Sequence, residues 1–273
     1  MVVISHNHYD HLDLSTISAL FKQFPKARYL VPLGNKSWIC SLGIPKDLVF
    51  ELDWWENREY SVQDFGYSTA SDTSEDVMLR FTCVPAQHNS GRGALDQGTT
   101  LWCGWVMEQL LVSKDEADES RTKRKGAVYH AGDTGYRRTA KSDAICPVFK
   151  EIGERFGGFD LSFVPIWRGG SLGFISHVGL RLSQKDLISA LHASPDDAVD
   201  IHRDVRSRNT VAVHFGTFVG SENESLEAVM EFHDAREERG VLDLEEKGVD
   251  GGRAGILGIG GSVAVEIAVE EER

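Results

Sequence analysis

Short apolar runs, each closed by a polar or glycine-containing turn, alternate along this chain with stretches in which apolar residues recur every three or four positions. The first pattern reads as buried strand and the second as amphipathic helix. Val2-Val3-Ile4 opens as a strand. Asp13 or Ser15 can then cap a helix carrying Ile17, Leu20, Phe21 and Phe24 at helical spacing, stopped by Pro25. Arg28 to Val31 predicts a short strand, Gly34 to Leu42 a helix with Trp38 inward, and Leu48 to Leu52 another strand. That strand closes in Asp53-Trp54-Trp55-Glu56, whose paired tryptophans read as packing rather than as a ligand platform. Tyr67 to Asp76, rich in Ser, Thr and Asp, reads as a turn. Met78 to Val84 alternates and ends at Pro85-Ala86-Gln87-His88, and further strands are predicted near Thr100 to Val112 and at Ala127 to His130.

In the second half, Cys146 to Phe156 reads as helix, Asp160 to Ile166 as strand and Trp167 to Ser183 as a glycine-containing loop. Ser194-Pro195-Asp196-Asp197 has the cap, first-turn proline and first-turn acids of a helix start, predicting a helix to about Arg206. Thr210 to Val213 predicts a buried strand and Ser225 to Arg239 a helix. After the glycine-rich stretch from Gly251 to Gly261, Val263, Val265, Ile267 and Val269 alternate with other residues, which predicts a last half-buried strand. Strands and helices interleave without a repeat, so the expectation is a single α/β domain over residues 1–273.

Composition narrows the partners. With 29 basic and 42 acidic residues the net charge is −13, and no general basic surface exists to collect phosphate backbones, so nucleic acid is not an expected partner. Cys40, Cys83, Cys103 and Cys146 lie far apart with no Cys-x-x-Cys spacing, which indicates neither a disulfide framework nor a thiolate metal site. No run approaches the ~18 apolar residues of a membrane span. Ser113 to Lys125 holds nine charges in thirteen positions and reads as a solvated insertion between two strands.

Ser5 to Asp13, Ser-His-Asn-His-Tyr-Asp-His-Leu-Asp, sets three histidines and two aspartates directly after the first apolar run. Imidazole and carboxylate are the donors that zinc and similar cations prefer. His6 and His8, two apart, can project to one side of a strand end, whereas Asp10 and His11 fall past the bend and face a neighbouring position. Further candidates follow at predicted strand ends: His88, 77 residues after His11, then Asp133, 45 further, then His214, 81 further. Glycines on both sides of Asp133 let the backbone aim a carboxylate into a crowded site.

The pattern His-x-His-x-Asp-His followed by isolated His, Asp and His resembles the metallo-β-lactamase superfamily, which implies an αββα sandwich with a two-zinc site between its sheets. Val31-Pro32-Leu33-Gly34, Asp53-Trp54-Trp55-Glu56, Pro85-Ala86-Gln87-His88, Gly132-Asp133-Thr134-Gly135-Tyr136 and His214-Phe215-Gly216-Thr217-Phe218 are similar, within it, to the N-acyl-phosphatidylethanolamine-hydrolysing phospholipase D family. The similarity covers about Val2 to Gly240. It implies that His6, His8 and His88 hold one Zn(2+), that Asp10, His11 and His214 hold the other, and that Asp133 bridges them. Asp10 and Asp133 then serve the reaction, and His192, which matches a family histidine at the substrate, hydrogen-bonds the phosphate. His130, His177, His202 and His233 have no such match and read as structural or surface residues.

The implied reaction is attack of a metal-bridging hydroxide on a phosphodiester, giving N-acylethanolamine and phosphatidic acid. The implied partner is phospholipid at a membrane surface, met by a peripheral intracellular protein, cytoplasmic or mitochondrial, with a homodimer also open. Another hydrolase of the same fold, a sugar-phosphate lactonase or a nuclease, is the alternative, because fold does not fix substrate. Met1 directly precedes the ligand-bearing strand, so a domain lacking its N-terminal strands is expected, and an inactive truncated form is a further alternative.

Overall fold

The computed structural model describes residues 1–67, 74–115, 122–138, 142–167, 191–217, 222–247 and 251–267. Among these residues ten strands form two sheets. The smaller is parallel, in the order β1 (Val2–Val3), β2 (Tyr29–Pro32), β3 (Val49–Leu52). The larger holds β4 (Asn57–Ser61), β5 (Glu75–Val84), β6 (Gly104–Ser113), β7 (Thr122–His130), β8 (Leu161–Pro165), β9 (Asn209–Val213) and β10 (Arg253–Gly255), ordered β10-β9-β8-β7-β6-β5-β4. From β4 to β7 its neighbours run antiparallel, and from β7 to β10 parallel.

Three apolar clusters give the layering. Tyr29 and Val31 of β2 pack with Ile17 of helix α1 (Leu14–Gln23) and Ile39 of α2 (Lys36–Ser41). Leu30, between them in sequence, points the opposite way and joins Leu52, Phe81, Cys83, Cys103 and Trp105 between the two sheets. On the far face Val106, Tyr129 and Val164 meet Phe149 and Ile152 of α3 (Val148–Phe156), Val199 and Ile201 of α4 (Pro195–Asp204), and Phe232 and Ala235 of α5 (Glu222–Glu238). Helix, sheet, sheet, helix is the αββα sandwich.

Local signals explain the helix starts. Asp13 caps α1, its carboxylate accepting from the Thr16 N–H at 2.7 Å. Ser194 and Asp197 form a reciprocal capping box at α4, with Pro195 in the first turn. The tryptophan pair packs as expected: Trp54 donates its indole N–H to Trp102 O at 2.7 Å, and the Arg155 guanidinium lies over the Trp55 ring at 4.1 Å.

Three expectations are corrected, and one strand goes unread in the sequence. Phe24 is 52% exposed, because α1 ends at Gln23 and Phe24 only closes the last turn. β4 exists although Asn57-Arg58-Glu59-Tyr60-Ser61 buries only Tyr60, since an edge strand is held by its backbone ladder to β5. Ser113 and residues 122–125 are not insertion but strand, extending the β6–β7 hairpin. Glu108 on β6 lies 3.7 Å from Arg124, which shows how charged side chains join that ladder. The glycine-rich stretch supplies β10, paired parallel to β9, whereas residues 261–267 form no strand despite the alternation of Val263, Val265 and Ile267. Val269, most of the loop expected at Trp167 to Ser183, and residues 116–121 of the charged segment lie outside the described residues.

Candidate metal centre

The small sheet delivers four donors on one loop. Ile4 still pairs with β2, its N–H bonded to Leu30 O at 3.0 Å, and beyond it the chain turns sharply, with His11 N and Leu12 N both bonded to His8 O. His6 is buried, its Nδ1 3.0 Å from the Ser5 hydroxyl. That leaves Nε2 to face His8 Nδ1 at 2.9 Å. Leu12 is buried beneath the turn, while Tyr9 and Asp10 face outward.

The large sheet brings the others to the same point from strand ends. His88, four residues past β5, has its Nδ1 fixed by Leu191 O at 2.7 Å and its Nε2 3.3 Å from His8 Nδ1. Asp133 follows β7, reached through Gly132, whose φ of +63° is left-handed. A Cβ there would lie 2.7 Å from Cys103 O and 2.8 Å from Ser5 Cβ, so only glycine lets this turn approach the small-sheet loop. His214, just past β9, holds a positive φ of 59°, a strained conformation for a residue with a Cβ, and its Nε2 is 3.3 Å from His11 Nε2. His192 enters from the segment ahead of α4, stacked between Trp167 and His214.

One carboxylate oxygen sits among them. Asp133 Oδ2 is 3.1 Å from His11 Nε2, 3.2 Å from His214 Nε2, 3.3 Å from His192 Nε2, 3.8 Å from His88 Nε2 and 3.9 Å from His6 Nε2. Asp10 Oδ2 is 3.2 Å from His11 and 3.6 Å from His214. The donor atoms thus fall into overlapping groups: His6, His8 and His88; Asp10, His11, Asp133 and His214; and His88, Asp133 and His192.

Electrostatics separates the groups. Burial pushes the His88 ring down to about 4, and burial with the like charge of His11 and His88 pushes His6 lower still. His8 is lowered by burial too. Burial alone would raise Asp133, but hydrogen bonds from His11, His192 and His214 hold it far below the usual carboxylate range. His214 moves up, because Asp133 and Asp10 outweigh its burial.

A family model described as the beta-lactamase superfamily domain matches residues 1–215. The chain belongs to that superfamily. The chain is 33% identical over 244 residues to N-acyl-phosphatidylethanolamine-hydrolyzing phospholipase D 1 of Caenorhabditis elegans, covering 86% of this chain and 55% of that protein. It is 30% identical over 228 residues to the mitochondrial enzyme of that name from Saccharomyces cerevisiae, covering 83% and 38%. It therefore spans about half the length, or less, of these relatives. Among solved structures, an isothiocyanate hydrolase from Delia radicum gut bacteria aligns with a TM-score of 0.52 and 17% identity over 98% of this chain and 77% of that one, a likeness of fold.

The superfamily fold implies a divalent metal, and the donors present suit one. His88 Nδ1 is committed to Leu191 O, so the Nε2 of its neutral ring presents a lone pair toward His6 and His8, whose rings burial also favours in the neutral form that binds cations. All seven residues expected as ligands meet here, with His192 beside them. His130 and His202 make internal contacts instead, to Gly132 N and Thr210 Oγ1, and His233 is at the surface near Glu237. His177 lies outside the described residues. The supporting atoms, Ser5 Oγ and Leu191 O, and the Trp167 ring against His192, carry no ligand signature of their own and were legible only as neighbours of ligands.

Proposed function

We propose that this chain is a zinc-dependent phosphodiesterase that hydrolyses N-acyl-phosphatidylethanolamine to N-acylethanolamine and phosphatidic acid. The observation that carries the reading is Asp133 Oδ2, which lies between the all-histidine donors and the Asp10-containing donors. A carboxylate so placed can serve two cations at once. Two zinc ions held there, one by His6, His8 and His88 and one by Asp10, His11 and His214, would lower the pKa of a water and neutralise phosphate oxygens. The two phospholipase D relatives supply the substrate class.

The chain's own groups then divide the work. A water oxygen joins phosphorus, the P–O bond to the ethanolamine breaks, and the leaving oxygen takes a proton. His192 is part-exposed, its ring braced by Trp167 and its Nε2 held 3.3 Å from Asp133, so it is the group best able to donate a hydrogen bond to the phosphate. Substrate would be taken from a membrane surface by peripheral contact, in keeping with the absence, among the described residues, of any helix long and apolar enough to cross a membrane.

The test is incubation of the zinc-loaded chain with vesicles containing N-acyl-phosphatidylethanolamine. Release of N-acylethanolamine together with phosphatidic acid is expected. Release of free fatty acid or of a lysolipid would place the cleavage at an acyl ester or amide and overturn the assignment, as would turnover confined to lactones or nucleic acid.

A further inference from the structure

Three segments that are remote in sequence supply His88, Asp133 and His192, and a single buried residue touches the backbone of all three. Thr134 follows Asp133 directly and is fully buried. Its hydroxyl oxygen accepts from the N–H of Gln87, the residue before His88, at 2.9 Å. The same hydroxyl donates to Gly135 O at 2.9 Å, so it acts as acceptor and donor at once. Its carbonyl accepts from the N–H of Ala193, the residue after His192, at 2.6 Å. Gly135 N returns a bond to Gln87 O at 2.7 Å, closing a ring between the two turns.

We infer that Thr134 is a positioning residue for the metal centre: its hydroxyl sets the spacing of His88 from Asp133, and its carbonyl seats His192 against the same carboxylate. The inference rests on the reading of this cluster as a metal site. The carbonyl link survives any substitution, whereas the hydroxyl link is the side chain's alone. Without the hydroxyl, the Gln87 N–H loses this bond at a part-buried position, and the turn carrying His88 is held less firmly. Groups that orient metal ligands in this way govern affinity as well as rate.

Zinc affinity, read by competition with a chromophoric chelator, is the decisive measurement. Thr134→Val keeps the shape and removes the hydroxyl, and should lose about 10–100-fold in zinc affinity. Thr134→Ser keeps the hydroxyl and should hold zinc as the parent chain does. If the valine variant fails to fold, Thr134→Ala against Thr134→Ser gives the same contrast. Hydrogen exchange on the zinc-free chain supplies a second readout, with the Gln87 amide exchanging faster in the variants without a hydroxyl. Equal affinities in hydroxyl-bearing and hydroxyl-free variants would overturn the inference, and so would a serine variant as weak as valine, which would make the role one of packing. A parent chain that binds no zinc would instead sink the reading of the site as a metal centre, and the Gln87 amide would still decide whether the hydroxyl holds that turn.

Discussion

The two sheets contribute to the centre in opposite ways. The small sheet supplies His6, His8, Asp10 and His11 within six residues, on a loop that follows a two-residue strand. The large sheet, with its two flanking segments, supplies His88, Asp133, His192 and His214 one at a time, each from a different place. The compact set is nevertheless the dependent one. Ile4 O accepts the Trp105 indole N–H at 2.9 Å, Ser5 O accepts Cys103 N–H at 2.9 Å, and the Asn7 side chain accepts Gly91 N–H at 2.7 Å. Arg92 reaches Leu12 O and lies over the rings of Tyr9 and Trp38. Donors adjacent in sequence are thus held in place by groups some 80 to 100 residues away, and contiguity in sequence does not confer independence in structure.

The strongest test of this dependence is Asp133→Asn. The large sheet's carboxylate is within 3.9 Å of ring nitrogens from both sheets. Loss of an outer residue of a metal site costs about 10–100-fold, so loss of a shared carboxylate charge should cost at least about 100-fold in turnover, with bound zinc reduced. Far-ultraviolet circular dichroism should stay that of the parent. Full turnover in the variant would show that the two donor groups do not share this residue.

A second effect separates the sheets by stability. Trp105→Ala and Phe149→Ala each empty a fully buried aromatic position on the two faces of the large sheet, and each should cost about 3–5 kcal/mol in urea unfolding. Only Trp105 also bonds to Ile4. Zinc affinity should therefore fall in the Trp105 variant and hold in the Phe149 variant wherever both are folded. Equal losses would mean that the small-sheet loop takes its shape from global stability, not from this bond.

The same contrast governs what could be read from the sequence. The small-sheet donors announce themselves through spacing, and His88, Asp133 and His214 through their place at the ends of apolar runs. Strands buried on both faces carry an apolar run, Tyr-Leu-Val-Pro in β2 and Val-Ala-Val at the end of β9. Edge strands do not. β4 shows water one charged face, with Arg80 paired to Glu59 at 2.7 Å, and β10 consists of Arg-Ala-Gly, held by backbone bonds and by Arg253 Nε to Asn209 Oδ1. Neither pattern distinguishes a strand from a loop, because the ladder depends on a partner whose position is a tertiary fact. The reverse error at Val263 to Ile267 has the same source: the alternation is present, with Val263 and Val265 half-buried, but no strand pairs with it among the described residues. Thr134 and Leu191 were illegible for a related reason, since each acts through a bond between a side chain and a backbone group, 47 residues apart for Thr134 and 103 for Leu191.

The smallest expected effect concerns a part of the large sheet that the centre does not use. His202 on α4 is buried, its Nδ1 2.7 Å from Thr210 Oγ1 on β9 and its Nε2 3.2 Å from Gly251 O. Burial lowers it to about 4, the bond to Gly251 O resists that shift, and the charge of Arg203 adds to it. Between pH 6.5 and about 4 the unfolded chain therefore binds a proton at this ring that the folded chain refuses, so stability is full above 6.5 and falls as the solution is acidified. At pH 5 the loss from this one group is roughly 2 kcal/mol, from about 1.4 kcal/mol per pH unit across the window. His6, His8 and His88 carry the same sign in the metal-free chain, so the quantity to measure is the difference between the parent and His202→Gln in urea unfolding at pH 7.5 and pH 5. The parent should lose roughly 2 kcal/mol more than the variant on acidification. Parallel losses would assign the acid sensitivity to the other buried histidines, those of the centre together with His130, and would clear the outer helix layer of a part in it.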